Sequence, residues 1–221
     1  MKKAFTFFEI VVVIVVIGIM AAFVAPKFSR DDLRLAADQI AAHIRYTQHL
    51  AMIDDKYDPG NANWYKAKWR IFFSDTDFTN NKLTYMVFQD KSGESKGNPN
   101  SISEIAKNPN NNAKLMTAGY SGGLAYTDKR VSKELNIEDT YNIDTIKFKN
   151  GCSVQGGTTT LSFDELGRPY KGNPTSQESP YQNIMTKQCT IILTHKNRST
   201  CTINVEPETG YVTIKEDCGS N

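Results

Sequence analysis

The first 24 residues constrain this chain more than any other stretch does. Lys2 and Lys3 precede a run from Phe5 to Val24 that is twenty residues long, largely apolar, and interrupted by one acid, Glu9. As a helix with a rise of about 1.5 Å per residue, this run would span about 30 Å, the thickness of a bilayer core. The sequence therefore predicts a retained membrane helix over residues 5–25.

The charges at the start of this run set its expected orientation. By the positive-inside rule, Lys2 and Lys3 place the N-terminus in the cytoplasm, so that the rest of the chain faces outward. A secretory signal peptide is the alternative, because residues 21–23 weakly match a cleavage site, although the apolar region of a signal peptide is usually shorter. A carboxylate in hydrocarbon is costly, so we expect Glu9 to have a specific partner.

An amphipathic helix is predicted over residues 26–55. Apolar or small side chains recur there at steps of three and four along one face, at Leu33, Ala37, Ile40, Ile44, Thr47 and Ala51. His43 and His49 lie six positions apart and do not share a face closely, so we interpret them as helix-surface or interface residues rather than metal ligands. Asp54 and Asp55, followed by a DPGN segment, predict the end of the helix.

Residues 60–221 form the predicted head, which is rich in strands. Segments 64–73 and 83–89 are aromatic and β-branched, and they predict an antiparallel pair. The last third of the chain, from about residue 145, predicts several consecutive strands separated by short turns.

Two polar segments of the head carry no strand pattern. Asp75, Asp77 and Asn80 match part of a calcium loop, but the loop glycine and the closing glutamate are absent, which favours an ordinary turn. Residues 90–123 are rich in Asn and Gly and predict a long loop, with a short helical turn near residues 102–106.

Four cysteines lie in the last third of the chain, at Cys152, Cys189, Cys201 and Cys218. None is part of a CxxC pair, and an even number of cysteines predicts two disulfides in an oxidising compartment. Four buried free thiols are the alternative.

A predicted hairpin over residues 200–215 indicates the pairing. Cys201 lies in the first strand of this hairpin, opposite the end of the second strand. Cys218 follows that end by a few residues, which is close enough to reach Cys201. Cys189 begins the preceding strand and does not face Cys201 directly. The predicted bonds are Cys152–Cys189 and Cys201–Cys218.

The charge balance and the missing motifs exclude several function classes. Lys2 and Lys3 account for the whole net charge of +2, since the remaining chain has 24 basic and 24 acidic residues. A neutral body argues against general nucleic-acid affinity. The sequence has no nucleophile elbow, no P-loop and no GxGxxG before a helix, so we predict neither a cofactor nor an enzymatic activity.

The segment AFTFFE, residues 4–9, resembles the processing site of type IV prepilins and type II secretion pseudopilins, with Ala4 where that family has Gly. The resemblance implies cleavage between Ala4 and Phe5 by a prepilin peptidase, which leaves residues 1–4 as a leader, and methylation of the new Phe5 amine. It also implies that Glu9 pairs with that amine of a neighbouring subunit during assembly. Gly18 and Pro26 fall at two further positions where the family has characteristic residues.

A second resemblance lies in the head. Residues 163–169 and the strand ending at residues 209–212 are similar to minor pseudopilins and minor pilins of the GspH/FimT family. This implies a pilin-like α+β fold, in which a long N-terminal helix, with a membrane half and an amphipathic half, packs on an antiparallel β-sheet head. Gly167 would supply a turn with positive φ, and Arg168 would anchor that turn or, as the alternative, bind a ligand.

The resemblances imply a structural subunit with protein partners. We expect a minor pseudopilin of a type II secretion system, in contact with other pseudopilins, the prepilin peptidase and the inner-membrane assembly platform. The expected location is the inner membrane of a Gram-negative bacterium, crossed once, with the N-terminus cytoplasmic and the head periplasmic.

Two other hypotheses stay open. The first is a minor pilin of a type IV pilus or a DNA-uptake machine. Direct DNA binding is disfavoured, because Tyr211 and Thr213 stand where FimT-like DNA binders would carry Arg, although Lys196 and Arg198 at a hairpin tip keep it open. The second is a membrane-anchored periplasmic enzyme, for which the sequence offers no constellation of acids, bases or metal ligands.

Overall fold

The computed structural model describes residues 6–24, 31–92, 97–216 and 218. The chain divides into two compact units, Met1–Asp31 and Asp32–Asn221. In the first unit, the described residues form helix α1, over Phe7–Val24. The second contains the other described helices and all the described strands.

The second unit begins with α2, Asp32–Ile53, which forms because its sequence has a helical apolar stripe. The residues that α2 buries are Leu33, Ala36, Ala37, Ile40, Ala41, His43, Ile44, Thr47 and Ala51. All six positions of the predicted stripe are among them, so the amphipathic helix is confirmed. A short helix, α3, follows later at Ile137–Tyr141.

The strands of the second unit form three antiparallel sheets. They are β1 Trp69–Thr76, β2 Lys82–Phe88, β3 Lys107–Asn108, β4 Asn111–Leu115, β5 Ile143–Asn150, β6 Thr160–Phe163, β7 Pro169–Lys171, β8 Cys189–His195, β9 Thr200–Val205 and β10 Val212–Ile214. The first sheet has the order β2-β1-β6-β7, the second has the order β10-β9-β8-β5, and β3 and β4 pair separately. The predicted pairing of the two aromatic segments is confirmed, with Phe72 opposite Met86.

Helix α2 packs on both four-stranded sheets, and the core lies between them. Side chains alternate along β1, so Ile71 and Phe73 are buried in that core. From the second sheet, Ile191 and Ile203 join the same core cluster. At its edge, Arg45 Nη2 of α2 donates a hydrogen bond to the Val212 carbonyl at 2.8 Å.

One polar side chain of α2 also fixes two turns of the head. Gln48 Nε2 donates to the Gly167 carbonyl at 2.8 Å and to the Thr209 carbonyl at 2.7 Å. Gly167 has φ of 77°, as predicted for this turn, and a side chain there would be strained. The turns after β6 and β9 are therefore anchored to one residue of the helix.

The structure contains both predicted disulfides, Cys152–Cys189 and Cys201–Cys218, and no described cysteine is free. Their Cα atoms lie 4.8 Å and 4.3 Å apart. The pairing of β8 with β9 agrees with the predicted register, because Cys189 lies opposite Val205 and not opposite Cys201. Two disulfides are typical of proteins from an oxidising compartment.

The predicted fold class is wrong. The structure has a mixed α/β fold with three short helices of 18, 22 and 5 residues and three antiparallel sheets, where one long N-terminal helix on a single sheet was expected. Helix α1 ends at Val24 and α2 begins at Asp32. Pro26, which lies outside the described residues, has no N–H for a helical hydrogen bond. Helix α2 contacts strands of both four-stranded sheets.

The predicted membrane helix and the location derived from it are also overturned. Among the described residues, the structure has no helix with the length and apolar character needed to cross a membrane. The single-pass inner-membrane anchor over residues 5–25 is therefore not supported.

Two smaller expectations need correction. Residues 64–67 form a 3-10 turn rather than the start of a strand, so β1 begins at Trp69. The predicted loop over residues 90–123 contains β3 and β4, because its Asn-rich segment closes a tight hairpin. The predicted helical turn within it is present at Ile102–Glu104.

Candidate functional site

The candidate site is the first turn of α1, where Glu9 lies. The Thr6 backbone N–H and the Thr6 hydroxyl donate to Glu9 Oε2 at 3.0 Å and 3.1 Å. In return, the Glu9 backbone N–H donates to Thr6 Oγ1 at 3.3 Å. These reciprocal bonds form a capping box, which satisfies backbone donors that a helix leaves unpaired at its start. They also lower the pKa of the Glu9 carboxyl.

Sequence analysis missed this capping box, although a signal for it was present. Thr6 and Glu9 have the T-x-x-E spacing of such a box directly before an apolar run. Glu9 thus has a local structural role whether or not it also has a partner in another subunit.

The rest of α1 is an exposed apolar surface. Every side chain from Thr6 to Met20 is exposed, including Phe7 at 84% and Phe8 at 75%. Glu9 is the only charged residue in this helix. A Cβ atom built on Gly18 would meet no atom within 4 Å, so no contact among the described residues requires glycine there. Such a continuous apolar surface is typical of an interaction site.

Three predicted site residues lie outside the described part of the chain. They are Ala4 and Phe5, at the predicted cleavage and methylation site, and Pro26. Glu9 and Gly18 both lie on α1, nine positions apart.

Arg168 stabilises its turn, as one of the two alternatives predicts. Its Nε donates to Asp164 Oδ2 at 2.8 Å, and its backbone N–H donates to Asp164 Oδ1 at 2.9 Å. The Leu166 N–H and the Tyr170 hydroxyl donate to the same carboxylate at 3.1 Å and 3.0 Å. Because these bonds cross-link the turn, they favour the structural role over ligand binding.

His43 lies at the interface between α2 and the first sheet, which is the second of the two roles predicted for it. It is only 6% exposed, and its Nδ1 lies 2.6 Å from the Tyr85 hydroxyl oxygen. Burial lowers the pKa of His43 to about 4, against a smaller opposing effect of Glu134. His49 is exposed, as predicted. Within the described residues, no group of three or more potential metal ligands gathers.

The basic hairpin tip is partly neutralised. Lys196 Nζ lies 3.4 Å from a carboxylate oxygen of Glu138, while Arg198 is exposed with φ of 75°. Lys82 Nζ also lies 2.9 Å from the Glu138 carboxylate. The tip therefore presents less free positive charge than its sequence suggests.

Two buried cations lie on the outer face of the first sheet, and the sequence analysis did not predict them. Lys68 Nζ donates to the carbonyls of Tyr65 at 2.9 Å and Pro180 at 3.2 Å, and lies 4.5 Å from the centroid of the Tyr170 ring. Burial lowers its pKa to about 8. Arg70 donates to three backbone carbonyls and one amide oxygen. These hydrogen bonds stabilise the loops that cover the sheet.

No protein-family model, no curated protein and no solved structure matches this chain. The candidate site therefore has to be interpreted from its own residues.

Proposed function

We propose that this chain is a structural, non-catalytic subunit of a pilin-like filament, with a minor pseudopilin of a type II secretion system as the first candidate. The observation that carries the proposal is α1, an exposed apolar helix whose one charged residue lies in its first turn. The resemblance of residues 4–9 to a prepilin processing site supports the same function.

The exposed surface of α1 supports assembly because apolar area gains free energy when it is covered. The transfer contributes roughly 25 cal/mol for each Å² buried. In a filament, the α1 helices of neighbouring subunits would cover one another. The apolar face of α2 is already used within its own unit, so α1 is the helix with surface left for partners.

Apolar packing alone does not set the axial offset between two neighbouring helices, and Glu9 would fix that offset. Between apolar helices the dielectric is low, so a carboxylate next to an amine is stabilised while an unpaired carboxylate is penalised. Thr6 donates both its bonds to Oε2, which leaves Oε1 able to accept from the methylated Phe5 amine of a neighbouring subunit. Only one axial offset between two α1 helices would bring these groups together.

The DNA-uptake alternative has weaker support. It would depend on basic residues at the β8–β9 tip, where Lys196 is already paired with Glu138. We therefore place a secretion-type filament ahead of a DNA-binding one.

Two matched variants separate the proposed charge pairing from helix capping. Glu9→Gln removes the charge but can still cap, since Gln also serves at this position of a capping box. Thr6→Val removes the hydroxyl that caps the helix and keeps the carboxylate. We expect Glu9→Gln to abolish assembly of the full-length chain and Thr6→Val to reduce it slightly.

Assembly is measured in the native cell by photo-cross-linking from a benzoylphenylalanine at position 14 in α1. The wild-type chain should give covalent products with itself or with other filament subunits, and Glu9→Gln should lose them. If Thr6→Val loses the products while Glu9→Gln keeps them, Glu9 is only a helix cap. If the wild-type chain gives no products, the filament proposal fails.

A further inference from the structure

An open pocket of about 410 Å³ lies on the outer face of the first sheet. Phe72 of β1 and Met86 of β2 form its floor, as a cross-strand pair on the face opposite the buried Ile71. Phe78 is 47% exposed at the rim. Pockets of roughly 300–1,000 Å³ with an apolar lining are the usual form of small-molecule sites. We call this site the Phe78 pocket.

The wall facing this floor is held rigidly. Tyr120 is 5% exposed, and its hydroxyl donates to the Pro99 carbonyl. Gly119 packs so closely that a Cβ there would come within 2.4 Å of the Phe78 carbonyl oxygen. A side chain at position 119 would clash with the Phe78 backbone, and the hydrogen bond to Pro99 holds the Tyr120 ring in place.

Three side chains that line the pocket have polar groups left to bind a ligand. Within the described part of the chain, the side chains of Ser74, Asp77 and Asn81 make no hydrogen bond, although all three residues line the pocket. They offer a hydroxyl, a carboxylate and an amide, and thus both donors and acceptors. Asn98 and Ser121 add exposed polar groups to the rim.

We propose that the Phe78 pocket binds a neutral saccharide. A sugar ring has C–H groups on its faces, which suit the rings of Phe72, Phe78 and Tyr120, and hydroxyls around its rim, which suit Asp77 and Asn81. This inference goes beyond the filament proposal and does not depend on it.

The charges around the pocket favour this ligand over an anionic one. Among the described residues that line it, none is lysine, arginine or histidine, which disfavours phosphate, sulfate or nucleic acid. Asp75 and Asp77 both line the pocket, and their carboxylates can accept hydrogen bonds from sugar hydroxyls.

The test uses the full-length chain in a polyoxyethylene detergent, because a glycoside detergent would itself compete. A glycan array containing neutral, acidic and amino sugars comes first, with calorimetry on cellobiose, maltose and diacetylchitobiose afterwards. We expect binding of at least one neutral saccharide. Phe78→Ala should weaken it about tenfold, since one aromatic contact contributes up to about 1.5 kcal/mol.

Two further variants test the polar contacts of the pocket and the specificity of the aromatic one. Asp77→Asn should also weaken binding, whereas Tyr211→Ala, which removes a similarly exposed ring outside the pocket, should leave it unchanged. Thermal unfolding checks that each variant is folded. The proposal is overturned if no neutral saccharide binds, if Phe78→Ala and Asp77→Asn both bind as the wild type does, or if only a tri-arginine peptide or acidic glycans bind.

Discussion

At the scale of single residues, His43 shows how burial changes the chemistry of a side chain. Gln39 Nε2 donates to the Tyr85 hydroxyl at 2.8 Å, so the hydroxyl hydrogen is free to point at His43 Nδ1. To accept that bond, His43 Nδ1 must carry no proton, so the imidazole is neutral. Glu134 is the acidic group whose charge acts on His43, and its effect is smaller than that of burial.

We predict that His43 makes stability depend on pH between 6.5 and about 4. In this window the unfolded chain protonates His43 and the folded chain does not, so stability is lost as the pH falls. The loss should be on the order of 3 kcal/mol. Urea unfolding across the window measures it.

His49 supplies the control for this prediction. His43→Gln should flatten the pH dependence by most of that amount, while His49→Gln, on the exposed face of the same helix, should not. An unchanged slope in His43→Gln would show that another group is responsible.

At the scale of elements, α2 stabilises the second unit through one face. Ile44 is fully buried against the core, whereas Leu35 on the same helix is 41% exposed. Both lie inside the helix, so their intrinsic helix propensities differ little. A comparison of the two separates core packing from helix formation.

We predict that Ile44→Ala lowers the free energy of unfolding by about 2–5 kcal/mol, because it removes buried methyl groups and leaves a cavity. Leu35→Ala should change it by no more than about 0.5 kcal/mol. Urea denaturation of both variants tests this. Equal losses would mean that the α2 stripe is not the face that packs on the sheets.

At the scale of the whole molecule, the two units differ in what stabilises them. The main core cluster, both disulfides and all ten described strands belong to residues 32–221. Helix α1 contributes no residue to either hydrophobic cluster. The second unit therefore has the attributes of an independently folding domain.

We predict that residues 32–221 fold alone. The truncated chain should keep the unfolding free energy of the full-length chain within about 0.5 kcal/mol, because both described hydrophobic clusters consist of residues within 32–221. Non-reducing peptide mapping should give Cys152–Cys189 and Cys201–Cys218. Scrambled or reduced cysteines would show that the first 31 residues are needed for folding.

The sequence by itself determined features that depend on neighbours along the chain. The α2 stripe follows from the 3.6-residue period, and the β1–β2 pair from two β-branched segments joined by a turn. The disulfide pairing followed from hairpin register, because strand alternation fixes which residues face each other. The positive φ of Gly167 was equally local.

Only the tertiary structure decided the features that depend on contacts between distant segments. The division of the strands into two sheets follows from pairings between distant segments, such as β1 with β6, and His43 is buried beside Tyr85, 42 positions away. The Phe78 pocket gathers residues from 72 to 121 that share no sequence pattern. Periodicity tells which face of an element is apolar, but which element covers that face is set by the packing of the whole chain.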